Sequence, residues 1–383
     1  MLTISLLLIV NLFACKSKQN DMVNKYSEMQ EQLDSLMGCY FNDSIPGAVM
    51  IVMKDDSVIY HRDFGVADMT TGDKVSLSSM FNICSISKQF SAVALMKLAE
   101  EGKLSLDDTV DKYFPNLKQP FFKKITLRHL LSHTSGIPDS RPRTPDEWAA
   151  YRAKHDSQYS SVDDFKLFCE EDESLRYLES LNSLNFEPGT AYEYMNPTFQ
   201  MVLSIVEQAT GIPFEQWMHD NIILPSGMTE TVYFDKDREI PRMVHAYEKD
   251  AAGNWEESDY GEANFFGTKA DGGIYTTPLD FLKWNKAVFG DKIISKESRE
   301  MAHTDKIATD IPYTSYGYGW FIEERPGKPR KIFHTGDNGG FRTVEAYFPE
   351  QNLFYLIFAA HPYWERDVTA EKVDDILIKA VHQ

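Results

Sequence analysis

A serine and a lysine three residues apart, Ser85-Ile86-Ser87-Lys88, stand at the start of a helix-rich stretch. Residues at that spacing share a helix face, which puts Lys88 beside the Ser85 hydroxyl. Such a hydroxyl becomes an effective nucleophile when an adjacent base takes its proton. Two further motifs follow in order: Tyr194-Met195-Asn196 ahead of a helix, and His334-Thr335-Gly336 at the end of a strand. Lys88 serves as the base if burial and positive neighbours keep it neutral. If it stays charged it stabilises a Tyr194 phenolate, and the tyrosine is then the base. The helix start offers the Ser85 N–H to a developing oxyanion, and the N–H of Asp337 is the candidate second donor. Taken singly, Ser85 and Lys88 also suit a helix cap with a solvated lysine; the three motifs together point to acyl transfer.

Around these residues the hydropathy pattern alternates between strand and helix. Val23, Tyr26, Met29, Leu33 and Met37 recur at helical steps. Residues 48–53 and 58–64 are strand-like, with Lys54-Asp55-Asp56-Ser57 between them as a hairpin turn. Helices are expected over 86–101, from a cap at Thr126, from Asn196-Pro197 to Gly211, over 278–289, and near 162–181 within an irregular charged excursion at 139–183. Strands return at 317–322, 331–334, 342–348 and 353–359, before a last helix carrying Val373, Ile376, Leu377 and Ala380. Strands at both ends with helices between them fit an α+β fold: one antiparallel sheet built from both termini, flanked by helices, with an inserted, mainly helical region. The sheet part is expected at 22–80 and 305–383, and the helical part at 81–304.

The balance of 39 basic against 58 acidic residues gives a net charge of −19, a field that repels phosphate backbones and disfavours nucleic-acid binding. Residues 2–13 are almost uninterruptedly apolar, too short to span a bilayer but suited to a secretion signal. Leu12-Phe13-Ala14-Cys15 resembles a bacterial lipobox, which implies lipidation of Cys15, a signal over 1–15 and a polar tether at 16–21. The leader lacks Lys and Arg and Phe13 is bulky for its place, so a plain signal peptide is the alternative. Lipidation would leave Cys39, Cys84 and Cys169, an odd number that argues against a full disulfide framework. His129 and His133 lie four apart without the glutamate of a zinc motif and read as structural; no metal and no cofactor is expected.

Several segments resemble the serine β-lactamases and penicillin-binding proteins, especially the class C β-lactamase, D-aminopeptidase and esterase branch. They are Phe81-Asn82-Ile83-Cys84-Ser85-Ile86-Ser87-Lys88-Gln89-Phe90, Leu130-Leu131-Ser132-His133-Thr134-Ser135-Gly136-Ile137, Glu187-Pro188-Gly189-Thr190 and Gly272-Gly273-Ile274-Tyr275. The resemblance covers about residues 46–360. It implies a β-lactamase/transpeptidase-like fold, with Ser85 as nucleophile, Lys88 and Tyr194 as proton-transfer pair, and Asn196 as ligand for a substrate amide. It also implies substrate contacts at His334, Thr335, Gly336 and Asp337. Where relatives have a lysine this chain has His334, half charged near neutral pH, which predicts a weaker and pH-dependent hold on a substrate carboxylate. The expected activity is hydrolysis of an ester or amide (a D-amino-acid peptide, a β-lactam or a small ester) through an acyl-enzyme in the cell envelope. The partners are then a small-molecule or short-peptide substrate and the membrane through the lipid anchor, with the oligomeric state open. The alternative is a catalytically silent envelope protein that binds peptidoglycan fragments or β-lactams.

Overall fold

The computed structural model describes residues 25–139, 177–235, 237–258, 269–304 and 306–382. Cys15, the apolar run at 2–13, the stretch at 16–21, Cys169 and most of the charged excursion lie outside them; of the helix expected near 162–181 only its end, 177–181, is described, and 177–180 is helical.

The hairpin forms where the sequence places it. Strands β1 (Ala48–Lys54) and β2 (Ser57–Phe64) are joined at Asp55 and Asp56, both with positive φ, the tight-turn geometry that matches strand twist. The short strands Phe81–Asn82 (β3), Val232–Tyr233 (β4), Tyr247–Lys249 (β5), Trp255–Glu257 (β6) and Ile274–Thr276 (β7) fall inside the middle region. The C-terminal part supplies β8 (Ile307–Ala308), β9 (Thr314–Tyr316), β10 (Phe321–Glu323), β11 (Lys331–Asn338), β12 (Phe341–Phe348) and β13 (Leu353–Ala359). An eight-stranded sheet runs β2-β1-β13-β12-β11-β10-β9-β8. Strands from the two ends of the chain therefore meet inside the sheet, one strand in from its β2 edge, where β1 and β13 pair antiparallel from Ala48 opposite Ala359 to Lys54 opposite Leu353.

Every β13 residue and all of β1 except Lys54 is buried, because both faces of the sheet are covered. Helices α1 (Ser27–Met37) and α6 (Arg366–His382) close one face through Leu33, Met37, Val373 and Leu377. The middle region closes the other with α2 (Ser87–Glu100), α3 (Leu127–Leu131), α4 (Pro197–Thr210) and α5 (Pro278–Phe289). The α+β architecture read from the sequence is the one observed, with β3, β4 and β7 added as a second small sheet in the middle region.

Two strands differ from expectation. Of the run expected at 317–322 only Phe321 and Ile322 are strand, in β10; residues 317–320 form the turn from β9, in which a side chain at Gly317 would meet Ala302 O at 1.9 Å. Gly319 has φ +85, and a side chain there would come within 3.1 Å of Lys88 O. This turn is pressed onto α2 and needs its glycines. Conversely, β11 continues four residues past His334, because Gly336 lets it pass the nucleophile turn at close range.

Candidate active site

Ser85 lies in a 3₁₀ turn, Cys84–Ile86, that runs into α2. Cys84 has φ +54, a conformation that a residue with a side chain adopts only when its surroundings hold it there. Asn82 supplies part of that hold: its Oδ1 accepts the Cys84 N–H at 2.8 Å and its Nδ2 donates to Gly272 O at 3.0 Å. From the other side, a Cβ on Gly336 would sit 2.7 Å from Cys84 Cβ and 2.8 Å from Ile83 O. Gly336 is thus the packing partner of the turn. Burial pushes the Cys84 thiol well up, so it packs as a small apolar group, whereas Cys39 is exposed.

Lys88 is fully buried, and its ammonium donates to Ser85 Oγ at 3.1 Å, Asn196 Oδ1 at 2.8 Å and Asp271 O at 2.9 Å. The i, i+3 spacing delivers this contact because the turn before α2 eclipses residues three apart. Nζ also lies 5.1 Å from the centre of the Tyr194 ring and 5.7 Å from that of Phe199. Asn196 occupies the expected cap position of α4 with Pro197 first in the helix, but its side chain makes no capping bond. The amide turns into the site instead, taking Lys88 on its oxygen and donating from Nδ2 to Asp139 Oδ2 at 3.4 Å.

His133, read from sequence only as structural, holds the Tyr194 segment: its Nδ1 accepts the Met195 N–H at 3.2 Å, and its ring centre is 4.3 Å from that of Tyr194. His129 plays the matching part at the start of α3, where its Nδ1 accepts the Thr126 N–H at 3.1 Å. A main-chain N–H thus occupies Nδ1 in each.

His334 corrects an expectation. Its ring is buried, with Nε2 3.0 Å from the Tyr316 hydroxyl and Nδ1 2.6 Å from Thr335 O. Burial, and then the nearby Lys88 charge, bring its pKa down to about 3, so the ring is neutral near pH 7 rather than half charged. Thr335 alternates to the other face of β11 and lines a cavity of about 360 Å³ between the sheet and α6. The Asp337 carboxylate pairs with Arg342 at 2.9 Å and Arg366 at 2.5 Å. β11 pairs with β12 out to Asn338 but with β10 only over Lys331–Phe333, so beyond Phe333 its β10 side has no paired strand among the described residues. Asn82, Gly336 as a spacer, and Asp139 are the contributors that motif spacing does not reveal.

The sheet built from both termini and a buried lysine shared by a serine and an asparagine define a class, and comparison with known proteins agrees. Residues 27–378 match the family model described as Beta-lactamase; the chain belongs to that family and is a serine hydrolase related to the β-lactamases and penicillin-binding proteins. It is similar to Penicillin-binding protein 4* of Bacillus subtilis, with 27% identity over 87% of this chain and 72% of the relative. It is also 24% identical to the D-alanyl-D-alanine-carboxypeptidase/endopeptidase AmpH of Escherichia coli over 94% of this chain and 88% of that one. Among solved structures it shares its fold with an octameric penicillin-binding protein homologue from Pyrococcus abyssi (TM-score 0.74, 24% identity, 95% of this chain and 77% of that one). A D-amino acid amidase from Ochrobactrum anthropi complexed with D-phenylalanine gives a TM-score of 0.72 at 22% identity, covering 94% and 99% of the two chains.

Proposed function

We propose that this serine hydrolase is an exported, lipid-anchored envelope enzyme that forms an acyl-enzyme on Ser85, with D-amino-acid amides or peptides as its preferred substrates and β-lactams or small esters as others. The observation that carries the reading is Lys88, buried and shared between Ser85 Oγ and Asn196 Oδ1.

Three acceptors, Ser85 Oγ, Asn196 Oδ1 and Asp271 O, match the three N–H groups of an ammonium. That favours Lys88 as a fixed cation and Tyr194, as phenolate, as the base. Tyr194 takes the Ser85 proton as Oγ bonds to the substrate carbonyl carbon, then returns it to the departing amine or alcohol. Water attacks the ester by the same route in reverse and leaves Ser85 free. The N–H groups of Ser85 and Asp337 stabilise the oxyanion, and the free β10 side of β11 takes the substrate main chain.

The charges around the site support a substrate that presents an amide or ammonium rather than a carboxylate. His334 is neutral, Arg342 and Arg366 are engaged by Asp337, and the Asp139 carboxylate lies beside Asn196. His334 then acts through its contact with Tyr316, and Thr335 from behind the strand. The name of the similar D-amino acid amidase is consistent with this preference, whereas that of AmpH, a carboxypeptidase, shares only the D-amino-acid chemistry. The apolar run ending in Ala14-Cys15 supports export and lipidation at Cys15.

The test is a panel of D-amino-acid p-nitroanilides, p-nitrophenyl esters, nitrocefin and D-Ala-D-Ala peptides on the full chain. Turnover of the amine-bearing amides above the carboxylate-ended peptides is expected. Binding of all four without turnover would mean a sensor, and a preference for carboxylate ends would overturn the specificity.

A further inference from the structure

Glu345 lies on β12 with 1% of its surface exposed, a place where a carboxyl is costly unless something holds it. It stands directly opposite His334 in the β11–β12 pairing. Gln89, the residue after Lys88, donates from Nε2 to Glu345 Oε1 at 2.5 Å. Gln89 Oε1 in turn accepts the indole N–H of Trp284 on α5 at 3.1 Å, and that indole stacks on Phe90 with ring centres 3.8 Å apart. The main chain of His334 adds a second hydrogen bond to the carboxyl. One buried carboxyl therefore ties the start of the nucleophile helix to the strand that borders the site. Apolar residues of similar volume would fill this seam at no desolvation cost, so filling space does not account for an acid there.

We infer that Glu345 is a positioning residue for acyl transfer: through Gln89 and Trp284 it fixes the spacing between the Ser85–Lys88 turn and β11. The inference rests on the reading of Ser85 as the nucleophile. Burial raises the Glu345 pKa to about 8, against the pull of the Gln89 and His334 hydrogen bonds, so the link carries a proton at pH 7 and loses it in mild alkali. The groups around it are His334 on β11, Gln89 on α2, Trp284 on α5 and, on β13, Tyr355, whose phenol Glu345 helps to push up.

The experiment measures kcat and KM from pH 6 to 9.5 for the wild type, Glu345→Leu, Glu345→Gln and Gln89→Met, with active-site labelling of Ser85 as a separate readout. Glu345→Leu breaks the link, so kcat should fall roughly 10- to 100-fold with KM little changed, because misplacement by a fraction of an ångström is felt at the transition state. Glu345→Gln keeps an acceptor for Gln89 and should recover most of that loss across the whole pH range. If Glu345→Leu does not fold, Gln89→Met cuts the link from the other end and should show the same selective loss of kcat. Wild-type kcat in the leucine or methionine variant overturns the inference, as does a glutamine variant no better than the leucine one. Label that stays on Ser85 in those cases leaves the nucleophile reading standing; label elsewhere removes that reading itself.

Discussion

Lys88 Nζ donates to Asn196 Oδ1 at 2.8 Å, joining the first helix of the site to the start of α4. Lys88 is buried, and the half-buried Asn196 passes its other amide edge to Asp139. Asn196→Ala should therefore leave one lysine N–H without an acceptor and lower kcat/KM by roughly 10- to 100-fold, an effect of about 1–3 kcal/mol. Steady-state kinetics on a chromogenic ester would show this, and a change under twofold would mean that the asparagine only fills space.

Gly336→Ala tests the close approach of β11 to the nucleophile turn. The added methyl would lie 2.7 Å from Cys84 Cβ, against main chain that has little room to retreat. A destabilisation of about 1–3 kcal/mol is expected from overpacking, with a larger proportional loss of kcat as the Ser85 turn shifts. Denaturant unfolding combined with kinetics would check both, and a variant equal to wild type in both would contradict the packing role.

Much of the fold was legible because its signals are local. The unbroken apolar run of β13 and the Asp55-Asp56 turn announce themselves in the chain. Ser85 and Lys88 were legible because helical spacing alone sets their separation. Asn82 was not, since its hydrogen bond to Cys84 matters only once β7 and β11 are folded around it. The charge of His334 was misread for a related reason: motif position places the ring at the site, but burial decides whether it carries a proton.

The buried histidines make a prediction about acid. Burial lowers His334 and His303 to about 3 and His361 to about 4, each below the unfolded value of 6.5. The unfolded chain then binds more protons as pH drops below 6.5, so stability present at neutral pH is lost progressively toward pH 3. Glu345 acts in the opposite direction: its folded value of about 8 exceeds the unfolded 4.5, so its contribution is lost as pH rises from 4.5 through 8. Thermal melts from pH 4 to 9 should show maximal stability at about pH 6.5, where the loss from the three histidines on the acid side meets the loss from Glu345 on the alkaline side, and Glu345→Gln should raise Tm over wild type more at pH 8.5 than at pH 5. An equal difference at both would contradict the raised value.

The specificity proposal predicts little gain from a cation in place of His334. The His334 ring is buried beside the Lys88 charge, so His334→Lys should lose activity on neutral esters and carboxylated substrates alike rather than favour the latter. A selective rise in kcat/KM for the carboxylated substrate would restore the carboxylate-anchoring role.

The central claim is that Ser85 accepts the acyl group. Its most direct test is to treat the full chain with a fluorophosphonate or a slowly released β-lactam, digest it and locate the added mass by tandem mass spectrometry. The account predicts one adduct on the peptide containing Ser85, positioned on Ser85 and absent from Ser85→Ala, whose turnover falls by about 10³-fold or more. An adduct on Ser87 or Ser132, or full labelling and turnover in Ser85→Ala, would contradict it.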